Sequence, residues 1–253
     1  MVNFLNIINR NSDFTQGEIV SVSLSYLWLL RPSNIFRYSS INIELVNDVE
    51  RRVKIDGVNR SICNIYNHFD STNLKNLSKQ QRIKILYEII FHSVHELATL
   101  SNSPTKYLEQ IEQEIIKYDY NPVLPFFKLK KAKNKKIYID FVFRLNSEFA
   151  EFFIRQFDSN KIELIEKSIY KTCLNPFVFK NFFKKCFFDE NVYKIENETK
   201  EIYFCYNILN QSFFIEYRPR ENTIDYLQEY LKALDYKTSN KERNKLLGLP
   251  NLI

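Results

Sequence analysis

Two histidines three residues apart, His92 and His95, are followed directly by Glu96 in a segment with helical apolar spacing. Side chains three apart on a helix share a face, so His92, His95 and Glu96 are the candidate metal ligands. A catalytic zinc takes three protein ligands and keeps a fourth position open. His68 is the only further histidine, and the order His-Glu-x-x-His of zinc proteases is absent. The expectation is therefore no bound metal and no cofactor. A second constellation is Glu198-x-Lys200, with Asp189 and Glu190 upstream. Paired acids with a lysine could hold Mg²⁺ and stabilise charge in a nuclease-like centre. Glu198 and Lys200 fall in an apparent hairpin turn, however, and a working centre needs a rigid supporting shell. Cys63 and His68 lie near each other in sequence, but proximity alone does not create a thiolate.

Two basic, aromatic segments remain. Lys128, Lys130, Lys131, Lys133, Lys135 and Lys136 place six lysines within nine residues, next to Phe126 and Phe127. Such a run can neutralise phosphates or sit as a solvated hairpin tip that discourages strand pairing. Between 177 and 188 come Phe177, Phe179, Phe182, Phe183, Phe187 and Phe188, interleaved with Lys180, Lys184 and Lys185. Large aromatics are mostly core, but exposed rings framed by charge make binding anchors. The candidate partner-contact residues are therefore Phe126, Phe127, Lys130, Lys131, Lys133, Phe182, Lys184 and Lys185.

The elements that must carry these residues follow from periodicity. Residues 1–17 read as polar and irregular. Val20, Val22, Leu24, Tyr26 and Trp28 alternate with Ser21, Ser23 and Ser25, which predicts a strand ended by Pro32. Alternation at 41–45 and 53–55, the Asp56-Gly57 turn and a return at 61–69 extend this into an antiparallel meander. Ser78 and Gln81 then form a capping box, and Ile83, Leu86, Ile90, Val94 and Leu97 mark a helix to about residue 100. A second helix is expected over 105–118. Strands follow near 137–143, 149–157, 162–170, 192–196, 201–208 and 212–217, then a short helix over 223–234. The fold class is α+β: antiparallel β-meanders packed with two central amphipathic helices and a short C-terminal helix. One continuous domain over 1–253 is expected, with its one candidate subdivision near 120.

Composition narrows the function classes. The chain of 253 residues has only three glycines, Gly17, Gly57 and Gly248, too far apart to share a loop. That excludes the phosphate-binding loop, the dinucleotide fingerprint and the nucleophile elbow, which need closely spaced glycines. The net charge is +6. Four cysteines at 63, 173, 186 and 205 form no Cys-x-x-Cys pair and read as free thiols in a reducing, cytoplasmic setting. The longest apolar stretch, 19–30, is 12 residues, against roughly 20 for a membrane span. No secretory signal is read in the N-terminal residues.

One ordered set of segments carries a resemblance. A strand pair near 41–45 leads to Asp56-Gly57-Val58, then Ile65-Tyr66-Asn67-His68-Phe69, then Ser78-x-x-Gln81. Next comes the run Ile85-Leu86-Tyr87-Glu88-Ile89-Ile90-Phe91-His92-Ser93-Val94, followed by the lysine-rich hairpin and a meander. Over about 35–215 this pattern resembles a group of uncharacterised bacterial proteins of the polymorphic-toxin immunity type. The resemblance implies a protein that binds and occludes a cognate toxin without catalysis, and it carries no catalytic motif. Many such proteins that block cationic nucleases are acidic, whereas this chain is basic, so complementarity favours a partner with an acidic surface. The alternatives are a basic nucleic-acid-associated protein and, third, a metal-dependent hydrolase using His92, His95 and Glu96.

Overall fold

The computed structural model describes residues 2–9, 14–46, 61–69, 72–132, 136–175, 179, 182–218, 231–232, 235 and 237, and residues 52–56 by backbone alone. The fold is α+β. The chain forms two compact units, Met1–Leu124 with Arg144–Ser147, and Pro125–Phe143 with Glu148–Ile253.

The first unit begins with β1 (Phe4–Asn9), where the sequence reads as irregular. Helix α1 (Gln16–Leu30) then replaces the strand expected from the Ser/apolar alternation. The reason is local. Thr15 and Glu18 form a capping box, each side chain accepting the other's backbone N–H at 3.2 and 2.9 Å. Ile19, Val22, Tyr26 and Leu30 also satisfy the helical period, and Ser21, Ser23 and Ser25 are buried beside them. A helix buried nearly all round shows no polar stripe, so its apolar pattern imitates alternation. Gly17 in its first turn is required by close approach, because a Cβ there would run into the carbonyl oxygen of Ser147.

Strands β2 (Ser40–Val46), β3 (Arg52–Asp56) and β4 (Ile62–His68) complete a sheet of order β1-β2-β4-β3. It is mixed, not the expected antiparallel meander: β1–β2 and β2–β4 are parallel, and only β3–β4 is antiparallel. Parallel neighbours need a crossover, and α1 supplies the one between β1 and β2. Leu5, Ile41 and Cys63 align on the buried face, as do Ile7, Ile43 and Ile65. On the other face Asn6 donates to Asn42 at 2.9 Å and Asn42 to Asn64 at 2.8 Å, a ladder that pins the register. Helix α2 (Lys79–Leu100) has the expected Ser78–Gln81 box and buries Leu86, Ile90, Val94 and Leu97. Helix α3 (Lys106–Lys117) buries Leu108, Ile111 and Ile115.

The next sheet is built from β5 (Leu124–Pro125), β6 (Lys130–Lys131), β7 (Tyr138–Leu145), β8 (Ala150–Phe157) and β9 (Glu163–Thr172), ordered β5-β7-β8-β9 with β6 on β7. A second antiparallel sheet runs β10 (Lys185–Asp189), β11 (Val192–Glu196), β12 (Ile202–Asn207) and β13 (Ser212–Tyr217) in order. Phe183 joins the two sheets. Its ring lies 4.5 Å from Phe152, 5.0 Å from Phe141 and 5.0 Å from Phe204. Of the helix expected over 223–234, Leu231 and Lys232 are helical and the rest lies outside the described residues.

One buried ion pair ties α1 to α2. Arg82 Nε and Nη2 donate to Glu18 Oε1 at 2.9 and 2.6 Å, and Glu18 is 1% exposed. Burial alone would raise this carboxyl; the hydrogen bonds from Arg82 and Thr15 and the guanidinium charge outweigh it, and the group sits below its usual 4.5. A lowered folded pKa supplies stability above the unfolded value and loses it as pH falls through the folded one. Glu18→Gln should therefore cost about 3 kcal/mol near neutral pH, a gap that narrows on acidification below roughly pH 4. Urea melts of both proteins across that range check this; equal stability at neutral pH would contradict it.

Candidate functional site

The lysine-rich hairpin forms because β6 pairs antiparallel with β7, Lys130 opposite Ile139 and Lys131 opposite Tyr138. Ala132 N donates to Ile137 O at 3.0 Å, closing the ladder, and the Ala132 side chain is buried. Lys128, Lys130, Lys131 and Lys136 are exposed, and Leu129 among them is 40% exposed. The Lys131 ammonium lies 5.7 Å from the centroid of the Tyr138 ring. Lys133 and Lys135 lie outside the described residues.

The second basic segment leads into β10. Lys184 and Lys185 are exposed where β10 begins, and the next residue, Cys186, is buried. Burial raises the Cys186 thiol, while the Tyr193 hydroxyl and the charge of Lys130 pull it back. Lys184 is already engaged, its Nζ 3.1 Å from Glu198.

The expected aromatic anchors have a different role. Phe182 is 2% exposed and packs on Phe204 and Tyr170. Phe126 is half-buried among Phe141, Phe143, Phe152 and Phe183. Phe127 is half-buried and stacks on Phe141 at 5.8 Å. Phe182 cannot touch a partner in this fold; desolvating its ring completes the core instead. Leu129, Tyr138 and the outer part of Phe127 are the apolar groups left beside the lysines.

The metal candidates separate. His92 is exposed, Glu96 is half-buried, and His95 turns to α3, with Nε2 2.7 Å from Glu112 Oε1. That Nε2 makes no hydrogen bond, and the contact is an ion pair only when the imidazole is protonated. Among the described residues no group of three or more His, Cys, Asp or Glu side chains could hold a metal ion. The acidic constellation also divides. Asp189 and Glu198 lie beyond opposite ends of β11, and Lys200 sits in the β11–β12 turn with positive φ.

A charge cluster that sequence reading missed sits on β10–β13. Lys194, on a strand otherwise apolar at Val192, Tyr193 and Ile195, has its Nζ 2.8 Å from Asp189 and 3.2 Å from Glu216. Arg218 closes on the other oxygen of Glu216 at 2.6 Å. The hydrogen bond to Asp189 raises the Lys194 ammonium further than burial lowers it, so it stays charged. Its only sequence signal is a lone lysine in a buried-strand pattern. Beneath it, burial raises the Cys205 thiol to about 11. Lys194 here acts as a buried cation between two acids, with its proton firmly held.

No protein-family model, curated protein or solved structure matches this chain. No helix among the described residues is long and apolar enough to cross a membrane.

All four cysteines are buried thiols outside any disulfide. A thiol reagent needs both access and thiolate. Native protein should therefore leave its thiols unmodified by Ellman's reagent over minutes, while protein in guanidinium reacts at all four. Rapid labelling of Cys186 or Cys205 without unfolding would contradict the burial described.

Proposed function

We propose that this is a non-catalytic interaction protein whose basic edge docks on an acidic surface of a partner protein. In the reading closest to the sequence pattern, that partner is a bacterial toxin whose active face is occluded. The observation that carries the proposal is the exposure of Lys128, Lys130, Lys131 and Lys136 around exposed Leu129 on the β6–β7 hairpin. Rim charge speeds encounter and sets specificity, and a small apolar centre supplies the desolvated contact. A stable complex would bury about 800 Å² on each partner.

The experiment is co-purification with the product of the adjacent gene, followed by rate measurements. Charge reversal at Lys128, Lys130 and Lys131 together should slow association about tenfold at low salt and flatten its salt dependence. The melting temperature should hold, because these side chains are exposed. Unchanged rates in the triple variant would overturn the proposal. Sub-micromolar binding of a DNA or RNA duplex at physiological salt, lost in the same variant, would replace it with the nucleic-acid reading.

A further inference from the structure

The run Lys184-Lys185-Cys186-Phe187-Phe188-Asp189-Glu190 is basic at one end, apolar in the middle and acidic at the other. Its central residues form β10, and the order β10-β11-β12-β13 gives that strand a partner on one side only. An edge strand is usually guarded against further pairing by charge, often lysine. Here the two signs sit at opposite ends. The guard therefore fails against one partner, the same strand running the opposite way.

The backbone has the phase such pairing needs. Asn197 N donates to Ile202 O and Ile208 N to Asn191 O, both at 3.0 Å, so the odd-numbered residues of β11 bond to β12. Val192, Lys194 and Glu196 therefore face β10, where they lie opposite Asp189, Phe187 and Lys185. That leaves the N–H and C=O groups of Cys186 and Phe188 directed away from the sheet.

A second β10, antiparallel about a two-fold axis through Phe187, sets Cys186 opposite Phe188, so these outward groups can exchange hydrogen bonds. The same register sets Lys185 opposite Asp189, Lys184 opposite Glu190 and Phe187 opposite its own copy. Opposite charges and aromatic pairs facing across strands stabilise, and like charges destabilise. A slide of two residues either way takes every lysine off its acid, and parallel in-register pairing would set lysine on lysine. Lys184, Lys185, Asp189 and Glu190 are exposed, and Phe187 and Phe188 are half-buried. Within the chain Lys194 uses Oδ2 of Asp189, and Lys184 meets Glu198 in a pair that is more than half exposed. Exposed pairs of that kind are weak and leave the lysine able to exchange.

We propose that β10 is a homodimer edge: two copies of this chain pair antiparallel through it and join two four-stranded sheets into one. The partner is a second copy because the charge order of 184–190 complements its own reverse. This does not rest on the docking role of the 128–136 hairpin. So short an edge buries less than the roughly 800 Å² per partner of a standard stable interface, so a weak dimer is expected.

Sedimentation equilibrium of the full-length chain tests this. The mass should rise from 30.5 kDa toward twice that value with concentration. The midpoint should lie at about 10–100 µM, as for a small interface. Lys184→Glu or Glu190→Lys alone sets like charges opposite each other and should weaken dimerisation about tenfold, whereas the two together reverse the pair and should restore it. Thermal melts establish that each variant is folded. A chain that stays monomeric up to about 500 µM, beyond the range of even a weak specific interface, would overturn the proposal. So would a dimer that neither single variant weakens, or a double variant as weak as the singles.

Discussion

The second unit depends on where Phe183 goes. Its ring meets Phe141 of β7, Phe152 of β8 and Phe204 of β12, so one side chain closes both sheets over a shared aromatic interior. Phe179 and Phe182 enter the same interior at 1% and 2% exposure. Each such ring removes some 150–250 Å² from water, which dominates the energetics of a small core. The consequence is geometric. With Phe182 and Phe183 drawn inward, Lys184 and Lys185 leave the core together at the start of β10. The aromatics are therefore spent on folding, and the exposed charge is what remains for recognition.

Charges in this protein fall into two groups with different duties. Glu18 with Arg82, and Lys194 with Asp189 and Glu216, are pairs held in or beside the interior. Removing one member would strand its partner, so they fix the packing of helices and strands. Lys128, Lys130, Lys131, Lys136 and Lys185 stand in solvent and cost little to hold there. Such exposed charges can change partners without unfolding anything. The division explains how a chain dense in ion pairs can still present a cationic face.

The sequence was most legible where one period applied cleanly. Helices α2 and α3, the Ser78–Gln81 box and the strands β7, β8, β9 and β11 to β13 all follow from local spacing. Reading failed at α1, where buried serines imitate the alternation of a strand and the Thr15–Glu18 capping box is the stronger signal. It failed again at the sheet of the first unit, because parallel pairing of β1, β2 and β4 is a long-range property of the α1 crossover. The lysine run at 128–136 was visible as composition. The turn of His95 toward Glu112 and the Lys194 cluster join residues apart in sequence, which no local pattern encodes.

Phe179, Phe182 and Phe183 hold the fold and are not the contact surface. Equilibrium unfolding of Phe183→Ala in urea measures it most directly. A ring packed between two sheets should cost about 3–5 kcal/mol when truncated, through lost burial and the cavity left behind. A loss below about 1 kcal/mol, the range of surface substitutions, would mean that the ring is exposed and that the aromatic segment is available to a partner after all.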